Sequence, residues 1–119
     1  TMATYSKEFL SGSTNGKNIS ITSTTAGSPV TIHTVGSGTS NRDEIWVYAC
    51  NTSASAVVLT VQFGGTTDQD DYIELELAAD SGMTLIVPGF LLDNSLIVKA
   101  HAATANVINV NGFVNRITA

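Results

Sequence analysis

The 119-residue chain has one cysteine and two prolines, and only 13% of its residues are charged. A single thiol, Cys50, excludes an intrachain disulfide framework and any multi-cysteine zinc site. Five cations, Lys7, Lys17, Arg42, Lys99 and Arg116, stand against ten Asp and Glu. They form no basic stripe for counterion release, which argues against nucleic-acid and anionic-membrane binding. Unbroken apolar runs, such as 56–59, fall far short of the ~20 residues of a membrane helix. The first ten residues contain no apolar h-region, which predicts no secretion signal. Nor does any stretch sustain a 3.6-residue hydrophobic period, so no helix is predicted.

Hydrophobic residues make up 43% of the chain, too many for a disordered segment of such low charge. They alternate at period two. Strands are predicted over 18–23, 30–35, 43–51, 56–63, 71–77, 83–87, 95–102 and 106–117, the last bent at Asn111-Gly112. Turn formers separate them: Asn15-Gly16, Gly36-Ser37-Gly38, Gly64-Gly65, Asp80-Ser81-Gly82, Pro88-Gly89 and Asp93-Asn94. About eight strands with regular turns predict an all-β fold, an antiparallel, jelly-roll-like β-sandwich. Residues 1–12 read as an N-terminal arm or edge strand and 13–119 as one sandwich domain. Ile73, Leu75 and Leu77 are expected to face the core, with Glu74 and Glu76 in water. Likewise Leu96, Val98 and Ala100 point in, and Lys99 and His101 point out. Two strands break the rule. Ile45, Val47 and Ala49 are backed by Trp46, Tyr48 and Cys50, and the 57/59/61/63 face is backed by Val58 and Thr60. A strand apolar on both faces needs cover on both, so Trp46, Tyr48, Val58 and Thr60 are the candidate subunit-interface residues.

Catalysis needs converging groups, and few are in view. His33 and His101 fall on different strands opposite apolar neighbours, with no carboxylate at i+2 or i+4. They read as solvent-facing or hydrogen-bonded strand histidines rather than a metal pair or general base. Gly36-Ser37-Gly38-Thr39-Ser40 lacks the Lys-Ser/Thr ending and following helix of a phosphate loop. Asp68, Asp70 and Asp71 with Glu74 are the best metal candidates, as clustered oxygen ligands suit Ca²⁺. Without the glycine and final glutamate of a calcium loop, they read as a solvated turn. Cys50 reads as an inert buried thiol. Trp46 and Tyr48 suit either sugar stacking or a covered interface. No enzyme, cofactor or metal is expected.

The segments at 2–17 (Met-Ala-Thr-Tyr-Ser-Lys-Glu-Phe-Leu onward) and 31–49 (Thr-Ile-His-Thr-Val-Gly-Ser-Gly onward) resemble small virion proteins of tailed bacteriophages, especially marine ones. Phe63-Gly-Gly-Thr-Thr, the segment 87–96 and the segment 108–117 are similar in the same way, and together these cover nearly the whole chain. The resemblance implies a capsid decoration, or cement, protein that coats the head shell as a homotrimer bound to the major capsid protein. That places it on the phage head surface after synthesis in the host cytoplasm. It carries over no site residues. On this reading Tyr5, Phe9 and Leu10 of the arm either grip a capsid subunit or belong to a first edge strand, and removal of residues 1–10 is expected to spare the fold. The alternatives are a head-completion or tail protein, or a carbohydrate-binding module on a spike or knob.

Overall fold

The computed structural model describes residues 3–118, so the first two residues of the expected arm and the last of the expected domain lie outside it. Nine strands run through it: β1 (Thr4–Phe9), β2 (Ile19–Ser20), β3 (Val30–Thr34), β4 (Asn41–Asn51), β5 (Val57–Phe63), β6 (Tyr72–Leu77), β7 (Thr84–Leu92), β8 (Ile97–Ala102) and β9 (Ile108–Thr118). They make a five-stranded sheet in the order β1-β9-β4-β7, with β2 also on β9, and a four-stranded sheet in the order β3-β8-β5-β6. All pairs are antiparallel. The pairs β2–β9, β3–β8, β4–β7 and β5–β6 nest inside one another like the rungs of one long hairpin. Rolling that hairpin up forms the remaining β4–β9 and β5–β8 pairs, which is the jelly-roll connectivity.

The core is what the alternation predicts. Ile45, Val47 and Ala49 of β4, with Val110 and Val114 beside them on β9, face Leu59 and Val61 of β5 and Val98 and Ala100 of β8, all fully buried. The edge strands depart from the expectation. Leu75 and Leu96 are more than a third exposed, because β6 and the turn before β8 lie at the rim, where one layer has no opposing strand to cover them. The first residues take the second of their two expected forms, an edge strand. β1 pairs with β9 along its whole length, from Thr4 opposite Thr118 to Phe9 opposite Phe113, and all six of its residues are exposed. Leu10, the next residue, is fully buried in the core. The division at residue 12 therefore cuts through packed structure, and the expectation that residues 1–10 are dispensable for folding fails on that side chain.

Three bulges adjust the faces. In β3, Thr31 pairs with Lys99 and His33 with Val98, so Ile32 is the extra residue and both Ile32 and His33 turn inward. In β7, Ile86 and Gly89 are extra, so Pro88-Gly89 is a bulge within the strand, where a turn was predicted. Gly89 (φ 80°) lies under the Trp46 indole, where a Cβ would come within 2.7 Å of the ring. In β9, Gly112 (φ 152°) lies where a Cβ would strike the Trp46 carbonyl oxygen, so Asn111-Gly112 lets the two longest strands stay paired.

Leu10→Ala is expected to cost about 3 kcal/mol, the usual range for emptying a fully buried leucine site. Phe9→Ala, one residue earlier and exposed, should change stability by less than about 0.5 kcal/mol. Urea unfolding of the two variants checks the contrast, and equal effects would count against this arrangement of the arm.

Candidate functional site

The outer face of the five-stranded sheet is built by register. Phe9, Phe113, Trp46 and Pro88 stand side by side across β1, β9, β4 and β7; the next row is Lys7, Asn115, Glu44 and Leu91. On the other side of the aromatic row come Asn111, Tyr48 and Leu85. The Trp46 and Phe113 rings lie 6.1 Å apart and 16° from parallel, and Lys7 Nζ stands 4.5 Å above the Phe113 centroid. The Trp46 indole N–H donates to Glu44 Oε1 at 2.7 Å, and Asn115 Nδ2 donates to the same oxygen at 2.9 Å. These two bonds hold the Glu44 carboxyl below its ordinary pKa, the indole bond first. Trp46, Tyr48 and Phe113 are half-buried; Phe9, Leu85 and Leu91 are exposed. Beside Phe9 a groove of about 430 Å³ opens between β1 and the 10–18 loop, over Gly112. Asn111 Nδ2 pins that loop by donating to Gly16 O at 3.1 Å and Asn18 Oδ1 at 2.8 Å. The face is an aromatic, largely apolar surface with its polar groups already satisfied.

The polar chemistry lies inside. His33, turned inward by its bulge, and Asp43, on the inner face of β4, are each about 1% exposed, and their Nε2 and Oδ2 atoms lie 2.7 Å apart. Arg116 on β9 closes a fork on the same carboxylate, Nε to Oδ1 at 2.9 Å and Nη2 to Oδ2 at 3.0 Å. The Ser11 backbone N–H donates to His33 Nδ1 at 2.9 Å, so the remaining ring proton sits on Nε2 and is donated to Asp43. Ser11 Oγ itself accepts from the Thr34 amide at 2.7 Å. Ser, His and Asp are therefore together without being a triad, since the hydroxyl does not meet the imidazole and both ring nitrogens are engaged. Burial alone raises the Asp43 pKa; hydrogen bonds from Arg116 and His33, with their charges, outweigh it and hold the group below its ordinary value.

The other expected sites disperse. Asp71 Oδ2 accepts the Thr67 amide at 3.0 Å, closing the turn, and no group of three or more His, Cys, Asp or Glu is gathered among the described residues. Asp68, Asp70 and Glu74 thus stay apart as exposed side chains. Val58 is half-buried, but Thr60 is 4% exposed and donates to Glu74 Oε2 at 3.2 Å, so its own chain covers it. Beside it Gln62 is fully buried and donates to Ala26 O at 3.1 Å, which brings the 22–29 loop over this outer face of the smaller sheet. His101 is half-buried there, edge-on to Tyr72 with ring centroids 6.0 Å apart. Cys50, expected to be buried, is half-buried on the Trp46 face. Sequence reading missed Phe113 and Lys7 as members of the aromatic face, although Phe113 alternates with Asn111 and Asn115. It missed the His33–Asp43–Arg116 cluster too, because period two places His33 outside. The chain matches no protein-family model, no curated protein and no solved structure in comparison with each.

Because Asp43 titrates below its unfolded value, its contribution is complete above about pH 4 and is lost as pH falls through the lower folded pKa. Asp43→Asn should cost about 3 kcal/mol at neutral pH and should flatten the acid limb of a stability–pH curve measured by urea unfolding. An unchanged acid limb would show that the cluster does not set acid stability.

Proposed function

We propose that this chain is a non-enzymatic structural protein of a tailed-phage virion, a capsid decoration protein that binds the major capsid protein on the head surface and reinforces the shell as a homotrimer. The observation that carries the reading is the aromatic outer face of the five-stranded sheet, a surface suited to cover by protein on a domain whose buried His33, Asp43 and Arg116 groups are spent on one another. Its resemblance to phage virion proteins supports the same assignment. The Trp46 and Tyr48 face serves self-association, and β1, with Tyr5 72% and Phe9 63% exposed on a free strand edge, serves the grip on the shell. Leu10 takes no part in that grip, since it belongs to the core. Decoration needs only modest contacts: a trimer touching three lattice points turns the second and third into intramolecular events. Because it binds only assembled shells, it stabilises them by mass action.

One observation favours a second reading. The near-parallel Trp46 and Phe113 rings beside the Phe9 groove form a platform of the kind on which sugar rings stack, as a carbohydrate-binding module of a spike or knob requires. Glycan-array binding abolished by Trp46→Ala would favour it.

Purified undecorated heads mixed with the protein and sedimented test the main reading. The intact protein should pellet with the heads and raise their resistance to heat. A variant with Tyr5→Ser and Phe9→Ser should bind roughly tenfold or more weakly, as loss of interface anchors does, while keeping its fold. An intact protein that stays wholly in the supernatant contradicts decoration.

A further inference from the structure

Charge is segregated on this fold. Six of the ten acids, Asp68, Asp70, Asp71, Glu74, Glu76 and Asp80, lie on β6 and its two flanking turns, and no Lys or Arg occurs between Arg42 and Lys99. All six but Asp71 are exposed, and β6 is a free edge of the smaller sheet. The exposed cations Lys7 and Arg42 occupy the outer face of the five-stranded sheet, in the rows above Phe113 and beside Ile117. Lys17 stands at its margin, on the loop that Asn111 pins. Two acids share the region: Glu44 stays anionic in the Lys7 row, where Trp46 and Asn115 donate to it, and Asp93 lies beside Arg42, while Glu8 lies on the opposite side of β1, toward Arg116. Three cations against two acids leave this face a small positive excess in a chain of net charge −5.

The two surfaces cannot meet within one molecule. The residues after β1 bond to β3 (Gly12 N to Ile32 O, 2.9 Å), and β3 and β6 are the opposite edges of the smaller sheet. They match between molecules, in charge and in apolar character. The acidic edge also shows Leu75 and, past the turn, Met83, 37% and 47% exposed; the positive face shows Leu85 and Leu91 around Trp46. Packing the face on its own copy would instead oppose Lys7 and Arg42 to like charges. Four strands ~4.8 Å apart over the length of residues 42–50 offer roughly 500 Å² per copy. The edge of β6 with its two turns covers only part of that face, so the contact totals under about 1,000 Å², the size of a weak, reversible interface.

We propose that the outer face of the five-stranded sheet receives the β6 edge of a second copy of this chain. The contact is heterologous, each copy giving its face to one neighbour and its acidic edge to another, and the threefold rotation that the decoration reading requires would close it into a ring. It rests on the decoration reading for its use and supplies the self-association that reading needs.

Sedimentation velocity on the full chain tests it. The oligomer should weaken by roughly tenfold or more between about 0.1 and 1 M salt, as screening shortens the reach of these charges. Lys7→Glu with Arg42→Glu, and separately Glu74→Lys with Glu76→Lys, should each dissociate it. All four together should restore association to within a few-fold of the starting chain. Circular dichroism confirms the fold of each variant, and the salt series on the unaltered chain decides if one fails to fold. A chain monomeric at about 0.1 mM, an oligomer indifferent to both reversals and salt, or a fourfold swap that does not restore association would each overturn the contact. Head binding reads separately: a monomer that still decorates heads removes the contact and leaves decoration standing. A ring that follows the charge swap but binds no head upholds the contact and removes decoration.

Discussion

The Asp43 carboxylate is the point on which the two layers depend. It sits on the inner face of β4, accepts a two-pronged arginine from β9 and the imidazole of His33 from β3 in the other sheet. Through His33 and the Ser11 amide it also fixes the loop that follows β1. One buried charge thus ties three strands and the N-terminal segment at the corner where the chain crosses between sheets. Replacing such a cluster with packed apolar groups is often neutral, whereas removing one partner leaves the others buried and unpaired. The arrangement therefore tolerates piecemeal change poorly and fixes how the sheets are set against each other.

Within that corner the polar groups are mutually satisfied. Both nitrogens of His33, both oxygens of Asp43 and the hydroxyl of Ser11 have partners within the fold. What faces outward unevenly is surface: aromatic and cationic on the larger sheet, acidic along β6. The self-covered outer side of the smaller sheet, where the 22–29 loop reaches Gln62, sharpens the contrast. Of the two double-sided strands, β5 is covered by its own chain and β4 is left with Trp46 and Tyr48 half-buried.

Most of the strands were legible, because alternation at period two is a direct image of a half-buried sheet. The charged β6 pattern and the doubly apolar β4 pattern both read correctly as to which residues share a face. Two of the failures share one physical source. A bulge adds a residue to one strand and reverses the faces beyond it, and nothing in Thr31-Ile32-His33 announces that it will do so. Hence His33 was placed in water, and its hydrogen bond to a residue ten positions on was invisible. Pro88-Gly89 misled in the same way, since a bulge and a turn call on the same residues. Leu10 was misread for another reason: an isolated leucine after an exposed strand has no periodic context to show that it enters the core. The charge segregation was present in the residue order, but its meaning required the topology that puts β6 at the far edge from β1.

The central claim is that the outer face of the five-stranded sheet is working surface. Hydroxyl-radical footprinting, which reads side-chain accessibility, tests it most directly on the dilute free chain and on the chain bound to undecorated heads. The account predicts that Trp46, Tyr48, Phe113 and Phe9 lose reactivity on binding while Phe63, on β5 of the other sheet and packed against the core, changes least among the aromatic residues. Unchanged reactivity at Trp46 and Phe113 in the bound state would contradict it.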